Sequence, residues 1–528
     1  MILPMARRIS GWLRTSAGRV DPVLLAAMAI GLLVRAWRFG DFPPGLNQDE
    51  ASTAYDAFAL IHHGMDRHGY RLPVVLVSWG SGMYALAAYV AAPFIGLFGL
   101  SVWSARLPFL LAGFVSLPLF FVLLRDTTDR QTARIGVVLL SLCPWHIMIS
   151  RWGLDSNLFP FVFLVATVLL QRSTERPRLL VAAASVYGLA LYAYGTAYVV
   201  VPVFVVLALV DGLRHRLWPW RIVLVAAIIF VAVAVPIGLY VAVNSLGWSS
   251  IRTPLFSIPH LTGLPRFKTM GNLNVLSVEF FRQAWNNLGT AAEMFRAQDD
   301  GLIWNAIPGY GILYTFSPFL ALGGLALLVG KCLRRDSGPA VALLAWAAAS
   351  ILLMAFVSAN INRVNIAMFP FVYCAAMTVS LLWRHRALAV LLSLLVGGSF
   401  VGFVGNYFGP YRNAAAGPFF ASFGEAIRYA SAQTQGGVCV TDHVNMPYIF
   451  VLFYNQEDPR VFKQTARFAN PGDEFETVSS FGRYTFGLGS CASNSSVILA
   501  THDEAANVRS EGFTVKEFER YTVLVRRE

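Results

Sequence analysis

Charge is what this sequence has least of. Asp, Glu, Lys and Arg make up 13% of its 528 residues, about half the share found in soluble domains, which excludes a conventional globular enzyme. With 56% apolar and 13% aromatic residues, the chain has too much surface seeking burial to be disordered or fibrous. None of the acidic residues before position 421 falls in the middle of an apolar run, whereas pumps and proton-coupled transporters usually keep a carboxylate inside the bundle. There is no P-loop, no nucleotide-binding glycine fingerprint and no HExxH motif. No internal repeat of either parallel or inverted kind is visible. The first apolar run, Val23 to Val34, follows Arg7, Arg8, Arg14 and Arg19 and precedes no small-residue cleavage site, so it reads as a signal anchor.

What is present is a polytopic membrane body followed by a different kind of domain. Residues 1–420 hold 16 acidic and 31 basic side chains, and residues 421–528 hold 13 and 10. The boundary is the turn-rich stretch from Asn406 to Pro418. This gives a transmembrane domain over 1–405, a linker over 406–418 and an extracytoplasmic α/β domain over 419–528. In that last domain a helix is expected near 420–433, with strands at GVCVT, SVILAT and YTVLVRR.

Twelve apolar stretches fall at 22–38, 82–100, 105–124, 134–149, 158–172, 179–195, 197–212, 221–243, 311–330, 340–357, 362–382 and 387–405. Between them lie five basic clusters, Arg125/Arg130/Arg134, Arg172/Arg176/Arg178, Arg214/Arg216/Arg221, Lys331/Arg334/Arg335 and Arg384/Arg386. The positive-inside rule puts all five, with the N-terminus, on the cytoplasmic side of the plasma (inner) membrane. They can share that side only if 82–100 does not cross. That stretch is therefore expected to be a re-entrant or interfacial helix, leaving about 11 crossings and an external C-terminal domain.

Ten of the sixteen acids of the membrane body then map to the outer side, and chemistry belongs there. Asp49 and Glu50 follow the first crossing, and Ala51, Ala54, Tyr55, Phe58 and Ile61 continue at helical spacing, an amphipathic helix along the membrane surface. Asn47 and Glu50 also fit a capping box, a purely structural role that leaves Asp49 over. Asp155 lies in a short external turn and fits a helix N-cap. Arg151 precedes it by four residues, however, and two carboxylates with a guanidinium can deprotonate a hydroxyl and hold a sugar or a phosphate. Asp299 and Asp300 precede a Pro-Gly turn, and Asn362 and Arg363 stand at the outer end of a crossing, where an arginine either snorkels or binds an anion. His146, beside Trp145, reads as a hydrogen-bonded packing residue. The trio His62, His63 and His68 lacks metal spacing. Without nucleotide machinery an external site needs another activated donor, and a lipid phosphate is the natural one.

Together, the acidic pair after the first crossing, GLSVWSARLPFLLAG, LCPWHIMISRWGLDSN, QDDGLIWNAIPGYG and NRVNIAMFPFVYCAA resemble the GT-C glycosyltransferases. The likeness is to the protein O-mannosyltransferase-like group (glycosyltransferase family 39) and the aminoarabinose transferases. The resemblance implies a membrane glycosyltransferase that moves a monosaccharide from a polyprenyl-phosphate donor to an acceptor hydroxyl on a glycan, lipid or protein, with inversion. It implies Asp49 as catalytic base with Glu50 as partner, Asp155 to orient the substrate, Arg363 to neutralise the lipid phosphate and, more weakly, Asp300; Arg151 and Asn362 beside them are further expected donor- or substrate-binding residues. No metal and no cofactor other than the donor substrate is expected. The 244–310 connection is too short for the large luminal insert of the eukaryotic mannosyltransferases, which argues against a protein acceptor. A transporter or flippase of lipid-linked sugars is the alternative. Cys439 and Cys491 fall in the external domain, an oxidising compartment where they are expected to pair.

Overall fold

The computed structural model describes residues 21–269, 277–334, 340–491, 495–508 and 512–527; the basic segment ahead of the first apolar run lies outside them. Each of the twelve apolar stretches carries a helix. Six helical spans are long and apolar enough to cross a bilayer: Val102–Thr127, Asp155–Ser173, Ala197–Arg214, Trp220–Leu246, Ile361–Leu382 and Arg386–Tyr407. The shorter apolar helices are Pro22–Ala36, Leu86–Phe98, Leu179–Ala190, Ser317–Leu333 and Ala340–Phe356. Arg130–Leu142 continues after a break at Cys143 into Pro144–Ile149, since Pro144 cannot extend the preceding helix. This is an integral membrane protein with a C-terminal sheet domain.

In lipid, helices gain little from burying apolar surface against one another, so close packing of small residues decides which ones touch. At Gly324 a Cβ would lie 1.8 Å from the carbonyl oxygen of Cys374. The helix Ser317–Leu333 can approach Met368–Leu382 that closely only with glycine there.

The described residues of the basic clusters gather on one face through bonds between loops, and Arg335 lies outside the described residues. Asp21 caps the first helix and pairs with Arg134 at 2.8 Å, and Asp126 pairs with Arg172. Lys331 donates to the Thr127 carbonyl at 3.0 Å, and the Trp218 indole donates to Ser173 Oγ at 2.7 Å. Thr132 bonds Ser380 at 2.9 Å, just ahead of the last cluster. Leu86–Phe98 has 13 residues, about 20 Å of helix, against a hydrocarbon core of about 30 Å. It packs on the opposite face against Gln48–His63 and the start of Val102–Thr127. With the clusters on one face, it is the stretch that the positive-inside rule keeps from crossing.

The helix Gln48–His63 departs from expectation in one respect. Its polar side is covered too: Ser52, Thr53 and Asp56 are buried along with the apolar stripe. One side faces Leu86–Phe98 and the other the C-terminal helix Pro447–Asn455, and the Tyr55 hydroxyl donates to the Glu457 carbonyl at 2.5 Å. Asp56 is satisfied there by a buried pair with Arg67 at 2.7 Å.

Four two-residue strands form two external hairpins, β1 (Val75–Leu76) with β2 (Met83–Tyr84) and β3 (Ile251–Arg252) with β4 (Ser257–Ile258). The C-terminal domain is one seven-stranded sheet of β5 (Val438–Val440), β6 (Arg467–Phe468), β7 (Val478–Phe481), β8 (Tyr484–Phe486), β9 (Val497–Thr501), β10 (Phe513–Glu517) and β11 (Tyr521–Arg526). Its order is β10-β11-β9-β5-β8-β7-β6, with β5 parallel to both neighbours. The expected helix is Phe423–Ala432 and the three expected strands are β5, β9 and β11. Cys439 and Cys491 form a disulfide, tying β5 to the segment that follows β8.

Candidate active site

A cavity of about 540 Å³ opens where the helix ends opposite the basic clusters meet the C-terminal domain. Asp49 and Gln48 enter it from the first turn of the external helix Gln48–His63, and Asp155 from the first turn of Asp155–Ser173. Asn362 and Arg363 enter from the short helix Ile361–Val364, which Asn360 caps by accepting from the Arg363 amide at 2.8 Å. Trp152, Tyr194 and Trp304 supply aromatic walls. The structure thus brings together Asp49, Asp155, Asn362 and Arg363 from segments more than 300 residues apart in sequence.

The two carboxylates are held differently. Asp49 Oδ1 accepts from the Trp79 indole at 3.0 Å, and among the described residues none donates to Oδ2. Asp155 is buried, and its Oδ1 accepts from the Ser156 amide at 2.7 Å. Among the described residues, its Oδ2 and the neighbouring Trp152 indole nitrogen have no hydrogen-bond partner. Buried polar atoms are seldom left so, and both residues line the cavity.

Two charged cavity residues were not foreseen from sequence. Arg266 sits in the external 244–310 connection, its amide bonded to the Ser81 carbonyl at 3.0 Å. Burial works against its charge, but the Asp49 and Asp155 carboxylates outweigh that and hold the guanidinium above its ordinary value. Glu474 comes from the C-terminal domain, with Asn445 and Phe475 beside it. Arg266 opens the four-residue helix Arg266–Thr269 and Glu474 lies in irregular chain, both too short of periodicity to mark a residue for a site.

Three expected site residues lie elsewhere. Glu50 is fully engaged as structure. Its two oxygens accept from Arg106 Nε and Nη2, each at 2.9 Å, from the Asn47 amide at 3.1 Å and from the Gly153 amide at 2.6 Å. It closes the capping box and ties it to Val102–Thr127. Arg151 points away from the cavity and donates to the carbonyls of Val34, Arg35, Trp37, Arg38 and Phe42, stapling the exit of the first helix. Asp300 accepts from Asn305 Nδ2 and from the Ile361 amide, both at 2.7 Å. It therefore positions the turn bearing Arg363 rather than lining the cavity. Glu50 and Arg151 are corrected from site residues to scaffold, and Asp300 to a support for Arg363. His146 is the packing residue expected, 2.7 Å from Arg35 Nη2.

Among the described residues, one group of His and carboxylate side chains clusters tightly enough to hold a metal: Asp442, His443 and Glu504, whose donor atoms lie within 4.8 Å of one another. It is largely exposed and does not line the cavity.

The architecture, a bundle of apolar helices under a C-terminal sheet domain, is the GT-C fold. ArnT from Cupriavidus metallidurans, solved bound to undecaprenyl phosphate, superposes with a TM-score of 0.57 at 13% identity, over 95% of this chain and 97% of that one. The oligosaccharyltransferase of Archaeoglobus fulgidus, solved with Zn and sulfate, gives 0.53 at 15% identity, over 82% of this chain and 61% of that one. Residues 85–240 match the family Dolichyl-phosphate-mannose-protein mannosyltransferase. Two Bacillus subtilis (strain 168) proteins with provisional mannosyltransferase names are similar over shorter stretches. YycA is 29% identical over 141 residues, 26% of this chain and 19% of its own, and YkcB 31% identical over 120 residues, 22% and 16%. The matched region thus spans less than a fifth of either relative. These likenesses agree with the resemblance read from the motifs.

Proposed function

We propose that the protein transfers a monosaccharide from a polyprenyl-phosphate donor to an acceptor hydroxyl on the extracytoplasmic face. The observation that carries this reading is the cavity itself, which sets Asp49 beside Asp155, Arg266 and Arg363. Arg266 and Arg363 bind the donor phosphate and neutralise the charge that grows on it as the glycosidic C–O bond breaks. Asp49 Oδ2 takes the proton of the acceptor hydroxyl as its oxygen attacks the anomeric carbon from the opposite side, so the configuration inverts. Asp155 and the Trp152 indole orient the sugar, and alignment of the partners contributes much of the rate. Asn445, Glu474 and Phe475 face the acceptor. The N-terminus and the basic clusters lie in the cytoplasm, and the C-terminal domain outside the plasma (inner) membrane.

Incubating the detergent-solubilised protein with a polyprenyl-phosphate sugar and an envelope glycan or lipid extract tests this. Stoichiometric release of free polyprenyl phosphate, with sugar on the acceptor, is expected. Intact donor in detergent, together with donor translocation in vesicles, would identify a flippase instead.

A further inference from the structure

We infer that Trp79 is a positioning residue for Asp49 and that the C-terminal domain acts on the reaction through it. This rests on the reading of Asp49 as the base. Trp79 stands at the tip of the β1–β2 hairpin and is 2% exposed. Its indole N–H is the donor on Asp49 Oδ1, which leaves Oδ2 for the acceptor proton. A carboxylate on a helix end turns freely about χ2 unless something holds one oxygen, and here that restraint is a single bond from a ring.

The ring is itself held from both domains. Arg67 lies over it, 5.3 Å from the centroid, and Arg67 is fixed by its pair with Asp56. Tyr448 of the C-terminal domain meets it edge-on at 6.0 Å. The Trp79 carbonyl accepts from the Glu476 amide at 2.8 Å, and Gly80 pairs with Phe475 as an antiparallel bridge. Gly80 has φ +88°, and a Cβ there would lie 2.7 Å from Glu476 Cδ, so the tip accepts this loop only with glycine at that position. The neighbouring residue Ser81 offers its carbonyl to the Arg266 amide. One hairpin tip therefore touches the base through Trp79, the phosphate-side arginine through Ser81, and the loop carrying Glu474 and Phe475. Seating of the C-terminal domain sets the direction in which Asp49 presents its free oxygen.

The test compares Trp79→Phe, Asp49→Asn and the double variant in the full-length protein, with kcat and KM measured separately. Replacing Trp79 by benzothienylalanine, which keeps the shape and loses the N–H, covers the case in which the Phe variant folds poorly. A loss of one hydrogen bond to a charged acceptor predicts a fall in kcat of about 10- to 100-fold, with KM changed little. Because Trp79 acts through Asp49, adding Trp79→Phe to Asp49→Asn should cost no more. Parent-like kcat in the benzothienyl variant, a loss confined to KM, or a full further loss in the double variant would each overturn the proposal. If Asp49→Asn itself turns over normally, it is the reading of Asp49 that fails, and that outcome is distinct from the others.

Discussion

Glu50 separates a catalytic from a structural role, because sequence and geometry assign it differently. Its carboxylate accepts four hydrogen bonds, two of them from the Arg106 guanidinium, and both side chains are wholly buried. Truncation to alanine leaves Arg106 with only the carbonyls of Gly40, Pro43 and Gly45. Removing one partner of such a pair costs about 3–5 kcal/mol, since the other charge stays buried and uncompensated. The Glu50 half of the capping box is lost with it, while Asn47 Oδ1 still accepts from the Asp49 amide. Glu50→Ala should therefore lower the thermal midpoint in detergent sharply and reduce the folded yield. The pair Glu50→Gln with Arg106→Met should recover part of that loss, because the two side chains are coupled. Turnover per folded molecule should stay within a few-fold of the parent, as neither residue lines the cavity. An unchanged midpoint with turnover reduced about 100-fold would refute this reasoning and return Glu50 to the chemistry.

Arg363→Lys should weaken donor binding, since lysine offers a point charge in place of a planar fork, and Arg266→Gln should weaken it further. Equal retention of a fluorescent polyprenyl-phosphate analogue by both variants and the parent would remove the phosphate assignment. Single cysteines at His215 and Leu255, both exposed, in a cysteine-free background report sidedness: position 255 should label in intact cells and position 215 only after permeabilisation, and the reverse would invert the topology. Asp66 lies in the first external connection, where burial, then the Asp56 charge, push its carboxyl up to about 7. Its folded value is raised, so its contribution to stability is fully present below about pH 4 and is lost as the pH rises through 7. Asp66→Asn should flatten that part of the stability–pH curve, and an unchanged slope would contradict the assignment.

The apolar helices were legible because an apolar run of bilayer length has few other fates. The capping box at Asn47 and Glu50 and the pairing of Cys439 with Cys491 were legible for local reasons, the first from spacing and the second from compartment. What sequence could not supply was the partner of each charge. Glu50 looks like half of an acidic pair until Arg106, 56 residues on, is seen to occupy it. The partners of Arg151 are five backbone carbonyls, which leave no trace in a sequence. Arg266 and Glu474 reach the cavity only through loop packing around the hairpin tip. The buried polar side of Gln48–His63 was equally hidden, because amphipathic spacing describes one covering surface and the C-terminal domain supplies a second.

The central claim is that Asp49 takes the proton from an acceptor that displaces polyprenyl phosphate at the anomeric carbon. It is tested most directly by running parent and Asp49→Asn side by side in detergent and reading both lipid-phosphate release and the anomeric configuration of the glycosylated product. The account predicts inversion in the parent and a fall of about 100-fold or more in the variant, with the same thermal midpoint. Retained configuration, or near-parent release by the variant, would contradict it.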